Sequence, residues 1–276
     1  MTEAAPALGP TVDSPASAQP DSRRSPSGTP QNDLNESFPA TRFSIVRATG
    51  SDDPLVRREA WDALVRAYWR PVYTFVRLRW NAATEDAQDY TQEFFARAFE
   101  AGFFADFDPA KARFRTYLRL CLQRFLANAH KAAARKKRGG DVRLIPLDFA
   151  SAESDVRRAA EGAETLDEES FFRRESVRSL FALAVEDLRA FYHAAGKSAY
   201  FEVFARYDLE DPGAGERPTY RQIAEACGLP VTQVTNYLAH ARRELRRIVL
   251  DRLREISGTE AEFREEARDL LGMDPP

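Results

Sequence analysis

From Lys111 to Arg138 the chain carries ten Lys or Arg residues and no Asp or Glu. Phe114, Tyr117, Leu118, Cys121, Leu122, Phe125 and Leu126 recur there at steps of three and four, the stripe of an amphipathic helix. One face of that helix suits a protein core. The rest crowds like charges, which repel unless an anion is close, so the chemistry on offer is the binding of a polyanion. Gln123, Asn128 and His130 add groups able to hydrogen-bond a nucleic acid. A solvated basic face is the simpler alternative, and both readings stand at this point.

A second polar constellation lies in RPTYRQIAEACGLPVTQVTNYLAHARRELRR, residues 217–247. Ile223, Ala224, Cys227 and Leu229 close one short helix, and Val234 and Leu238 of a second face back to it. Gly228 suits a positive-φ turn between them, and Thr232 is expected to cap the second helix. Gln233, Thr235, Asn236, Tyr237, His240, Arg242 and Arg243 then point outward. Amides, hydroxyls and guanidinium groups in that array can reach base edges and phosphates in a major groove.

Covalent chemistry has little to work with. Two cysteines and three separated histidines give no metal-ligand spacing. There is no glycine-rich phosphate loop and no Ser/His/Asp arrangement, so no catalytic residue, metal or cofactor is expected. Cys121 and Cys227 read as small apolar groups of a reducing compartment. No apolar run approaches the roughly 18 residues of a membrane span, and no signal peptide opens the chain, so a cytoplasmic protein without membrane contact is expected.

A net charge of −3 hides segregation. Residues 1–40 hold five acids and two bases, 139–172 nine and three, and 253–276 seven and three. The remaining segments are therefore strongly basic. Residues 1–40, rich in Pro, Ser, Ala and Thr, are expected to be a disordered tail. Asp53-Pro54 starts a helix, with Pro71 a kink or break inside it. Thr84 is expected to cap the next helix, whose buried face carries Ala87, Tyr90, Phe94, Phe95, Ala98 and Phe99 and whose outer face is acidic. Gly102 ends it. After the basic helix, 139–172 reads as a flexible acidic linker. Further helices begin near Phe171, Ala199, Thr219 and Val231, and the last residues read as a short acidic helix or frayed tail. No alternating strand pattern occurs, so the fold class is all-α.

Three segments together resemble the sigma-70 family of bacterial RNA polymerase sigma factors, in its small extracytoplasmic-function (ECF) group. Asp86-Ala87-Gln88-Asp89-Tyr90-Thr91-Gln92-Glu93-Phe94-Phe95 is similar to the signature D-A-x-D-x-x-Q-E-x-F. Phe107-Asp108-Pro109 through Phe114-Arg115-Thr116-Tyr117-Leu118 resembles F-D-P-x-x-x-x-F-R-x-W-L, with Tyr117 in place of the usual Trp. Thr219 to Arg247 resembles the family's helix-turn-helix. The resemblance implies two small helical domains: sigma2-like at 41–138 and sigma4-like at 173–254, with an acidic C-terminal tail at 255–276.

It also implies partners: core RNA polymerase, through its β′ clamp and β flap, and promoter DNA. Asp86, Asp89, Gln92 and Glu93 would face the clamp, steering more than binding. Phe103, Phe104, Phe107, Arg113, Arg115, Arg119, Arg124, Asn128 and Lys131 would open and hold the minus-ten element, aromatic surface capturing bases and cations gripping phosphates. Thr232, Gln233, Thr235, Asn236, Tyr237, His240, Arg242, Arg243 and Arg246 would read the minus-thirty-five element. An anti-sigma factor and a regulatory kinase stay open as further partners. So does fold-back of an acidic segment onto the basic helix. The linker is long and acidic for the group, and the N-terminal tail is an addition to its pattern. Two rivals remain. One is a conventional helix-turn-helix regulator acting without polymerase; the other is a sigma-like interaction module without transcription activity.

Overall fold

The computed structural model describes residues 45–104, 106–133, 146–210 and 216–272, all within one unit spanning Thr41–Pro276. The expected disordered tail at 1–40 lies outside the described residues. Ten α-helices follow in order among them, and no strand: α1 Ile45–Ala48, α2 Pro54–Arg79, α3 Thr84–Ala101, α4 Phe114–Ala133, α5 Phe149–Ala160, α6 Glu168–Ala194, α7 Ser198–Phe204, α8 Tyr220–Cys227, α9 Val231–Ile256 and α10 Glu260–Leu271.

Two apolar clusters organise them. The first joins α2, α3, α4 and α5 around Trp61, Tyr73, Phe75, Phe94, Phe95, Phe114 and Phe149. The second joins α6, α7, α8, α9 and α10 around Leu188, Tyr192, Phe204, Ile223, Val234, Leu238 and Phe263. Each buried aromatic or aliphatic side chain removes enough apolar surface to contribute about 1.5–3 kcal/mol.

α2 starts as its sequence prescribes. Asp53 accepts from the Leu55 amide at 2.8 Å and Pro54 takes the first turn. Of the expected kink or break at Pro71, the break does not occur. A proline leaves the carbonyl four residues back without its helical donor. Here that carbonyl, on Ala67, accepts the Ser179 hydroxyl of α6 at 2.9 Å, so the helix runs through.

Two expected caps are displaced. Ala83, not Thr84, is the N-cap of α3, and its carbonyl takes the first helical bond, from Ala87 at 2.9 Å. Pro230, not Thr232, is the N-cap of α9, accepting from Gln233 at 2.9 Å and from Val234 at 3.3 Å. Both threonines therefore sit inside the first turn. Gly102 and Gly228 end their helices with φ of 64° and 65°, as the sequence indicates. Phe99, expected inside, is 44% exposed, with its ring set edge-on to Trp61.

The expected flexible linker at 139–172, described from 146 onward, carries α5, a short 3-10 turn at Ala163–Thr165 and the start of α6. Several of its described acids are structural. Asp148 and Asp167 accept from the Ser151 and Ser170 amides as N-caps of α5 and α6, which holds both carboxyls below the usual aspartate value. Glu153 meets Arg77 at 3.0 Å and the Tyr73 hydroxyl, and Asp155 meets Arg70. Phe149, Ala152, Val156 and Ala159 bury one face of α5. The 27-residue α6 then runs without a break from Phe171 and Phe172 in the first cluster to Leu188 and Tyr192 in the second.

Candidate nucleic-acid interface

α4 buries Phe114, Leu118, Leu122, Phe125 and Leu126, the expected stripe. Its cations are less free than the sequence implies. Arg113 meets Asp269 of α10, with Glu265 at 3.5 Å and Glu266 at 3.7 Å. Arg115 is only 5% exposed and pairs with Glu266 at 2.6 Å. Arg119 pairs with Glu169 of α6 at 2.8 Å, and Glu169 also accepts from the Thr116 hydroxyl at 2.9 Å. Gln123 donates to Glu168. Arg124 and Asn128 remain exposed. The Lys131 side chain lies outside the described residues, as do Arg135 to Arg138.

The aromatic loop before α4 is divided. Phe104 is 2% exposed, stacked on Trp61 at 4.8 Å and edge-on to Phe114. Phe107 packs on Phe114 and Tyr117, and Phe103 is half-buried. The Tyr117 hydroxyl donates to the Phe103 carbonyl at 2.6 Å. Burial pushes its pKa up to about 12.

α8 and α9 form a corner. Thr219 caps α8 by a reciprocal box: its hydroxyl accepts from the Gln222 amide, and the Gln222 side chain accepts from the Thr219 amide at 2.8 Å. Ile223, Ala224, Val234 and Leu238 close the corner, each at most 4% exposed. Thr232, Gln233, Thr235, Asn236, Arg243 and Arg246 are all exposed. Arg243 and Arg246 make no ion pair among the described residues.

Three expected contact residues are engaged at home. Tyr237 stacks on Tyr200 with centroids 3.8 Å apart. His240 Nδ1 shares a hydrogen bond with the Tyr192 hydroxyl at 2.7 Å. Desolvation, helped by the nearby Arg243, holds the His240 pKa below its ordinary value. Arg242 makes a two-pronged pair with Asp208 at 2.8 and 2.9 Å and lies over the Tyr207 ring.

The outer face of α3 presents Asp86, Asp89 and Gln92 exposed. Glu93 is partly covered and pairs with Arg97 one turn on. Phe94 and Phe95 are fully buried in the first apolar cluster. Among the described residues there is no cluster of His, Cys, Asp and Glu able to hold a metal, and no helix is long and apolar enough to cross a membrane.

No protein-family model, curated protein or solved structure matches this chain. The residues that sequence reasoning missed are the acids facing α4: Glu168, Glu169, Glu262, Glu265, Glu266 and Asp269. Their one available signal was spacing, since Glu262, Glu265, Glu266 and Asp269 fall on one helical face at steps of three and four.

Proposed function

We propose that this chain is a promoter-recognition factor of the sigma type. It binds bacterial core RNA polymerase through the acidic face of α3 and directs promoter recognition and DNA opening for transcription initiation. The observation that carries the reading is the α8–α9 corner, whose six exposed polar and cationic groups line the start and middle of α9. Thr232, Gln233, Thr235 and Asn236 are suited to base edges and Arg243 and Arg246 to phosphates. Arg124 and Asn128 of α4, with Phe103 and Phe107 ahead of it, are suited to a strand of opened DNA. Charge steers the encounter at α3, where Asp86 and Asp89 meet a basic partner surface.

A pull-down with core polymerase, followed by run-off transcription on promoter-containing DNA, tests this. The expected result is a stable complex that starts transcripts at defined sites, weakened by Asp86→Asn with Asp89→Asn. Absence of a complex would remove the reading. A second reading, a duplex-binding regulator that works without polymerase, draws on the fact that Arg243 and Arg246 of α9 are open while Arg115 and Arg119 of α4 are occupied. Sequence-specific gel shifts by the chain alone, with no polymerase complex, would favour it.

A further inference from the structure

We infer that α10 is an intramolecular occupant of the cationic surface of α4, a clasp whose acidic face must let go before single-stranded nucleic acid can reach Arg113 and Arg115. The inference rests on α4 being a nucleic-acid-binding helix. Each polar contact that the acidic face of α10 makes with Arg113 and α4 is one that a phosphate backbone would make. Asp269, Glu265 and Glu266 surround the Arg113 guanidinium, and Glu266 takes that of Arg115. Glu262 accepts from the Phe114 amide at 2.6 Å, where the first turn of α4 exposes its unpaired N–H groups. Its other oxygen accepts from the Gly258 amide at 2.7 Å.

The arrangement has two unequal sides. The apolar side of α10 belongs to the second cluster: Phe263 and Ala267 are buried there, and Arg254 lies over the Phe263 ring. The acidic side faces α4, and its outer members are exposed, Glu265 by 58% and Asp269 by 41% of their side chains. Such contacts weaken with salt and exchange readily for another anion.

The inner pair is incompletely satisfied. Arg115 Nε and Glu266 Oε1 are buried with no hydrogen-bond partner. A buried ion pair in that condition contributes little net stability. Burial also holds both carboxyls above the usual glutamate value, Glu262 against the amides of Phe114 and Gly258 and Glu266 against Arg115 and Arg113. The root of the clasp is tight: a Cβ on Gly258 would lie 2.7 Å from the Phe107 ring. This ties α10 to the aromatic loop that precedes α4, so release of α10 would loosen that loop as well.

The test uses the full chain and a fluorescent oligothymidylate at low ionic strength. Glu265→Gln with Asp269→Asn removes two exposed carboxylates of the clasp. Asp52→Asn with Glu59→Gln removes two exposed carboxylates of the segment leading into α2 and of α2 itself, and is the control for net charge. The clasp variant is expected to bind about five- to tenfold more tightly than the control. Adding Arg113→Ala should cancel the gain. Hydrogen exchange should show the α10 amides losing protection as the oligomer binds. Equal affinity in the two charge variants, no binding by either, or binding with α10 protection unchanged would each overturn the clasp. The polymerase pull-down is independent of these readouts. If it fails while the oligomer result holds, the promoter-factor reading falls and the clasp stands; the reverse outcome removes the clasp alone.

Discussion

α4 and α9 are two cationic helices of this molecule that carry the proposed contacts, and they differ in who answers their charge. Arg113 just ahead of α4 and Arg115 and Arg119 on it are met by carboxylates from α6 and α10, at separations of 50 to 156 residues along the chain. On α9, Arg243 and Arg246 stand exposed, whereas Arg242 pairs with Asp208 and Arg247, Arg252 and Arg254 are answered by Glu244, Asp187 and Glu260. A count of cations is therefore not a count of available cations. Availability is set by tertiary pairing, which converts a basic helix into an internally neutralised one while leaving the net charge unchanged.

The sharpest test of that difference is the buried end of the α4 pairing. Glu266→Ala leaves Arg115 buried and unpaired, and a denaturant melt should show a loss of about 3–5 kcal/mol. Replacing both partners, Arg115→Met with Glu266→Leu, should restore most of that loss, because two apolar groups need no solvation. If the single and double variants melt alike, the pair is not the element holding α10 to α4.

Long-range answering of a local defect also occurs in α2. Ser179→Ala removes the donor to the Ala67 carbonyl that Pro71 leaves open. Stability should fall by about 1–3 kcal/mol, the cost of an unsatisfied buried acceptor. An unchanged melting profile would mean that α2 tolerates the proline by other means.

Binding to duplex DNA separates the two helices directly. Arg243→Ala should weaken binding roughly uniformly across sequences and lower the salt slope by about one. Arg113→Ala should leave that slope unchanged, its charge being already cancelled by Asp269 and its neighbours. Arg242→Ala should fall between the two, because Asp208 competes for the same guanidinium. Equal slopes for Arg113→Ala and Arg243→Ala would erase the distinction.

How far the sequence carried this picture follows from the range of each interaction. The stripes of α2, α4 and α9 and the stops at Gly102 and Gly228 were legible because they depend on residues within a turn or two. The caps were misplaced by one or two residues, because threonine is the stronger capping type but the first helical carbonyls came from Ala83 and Pro230. The stretch 139–172 read as a linker because nine acids mask a modest apolar pattern. Asp148 and Asp167 are caps, and Glu153, Asp155, Glu168 and Glu169 are pair partners, roles that show only when Arg70, Arg77 and Arg119 are brought alongside. Of the interface, the exposed row on α9 was legible from helical spacing, whereas the engagement of Tyr237, His240 and Arg242 by Tyr200, Tyr192 and Asp208 was not.

His240 gives the smallest expected effect and the finest probe of the open helix. Its ring faces Tyr192 and Tyr200, with Arg243, Glu244 and Lys197 the charges around it. Desolvation, the main cause, then Arg243 and Lys197 oppose its protonation, while Glu244 favours it, and the balance lies below the ordinary value of 6.5. The unfolded chain therefore takes up the proton first. Stability is unaffected well above pH 6.5, falls as pH drops through that value, and levels off below the folded pKa. Glu262 and Glu266 act with the opposite sign: their raised values make the folded chain the better proton acceptor as pH falls toward the glutamate range. The comparison must therefore be a difference between two melting series across pH 7.5 to 5, roughly the window in which histidine titrates. Wild type should lose more stability than His240→Gln over that interval, since the amide keeps a hydrogen-bonding group near Tyr192 but cannot titrate. Parallel curves would place His240 in solvent contact and detach it from Tyr192, making it a seventh open group on α9 and widening the contrast with α4.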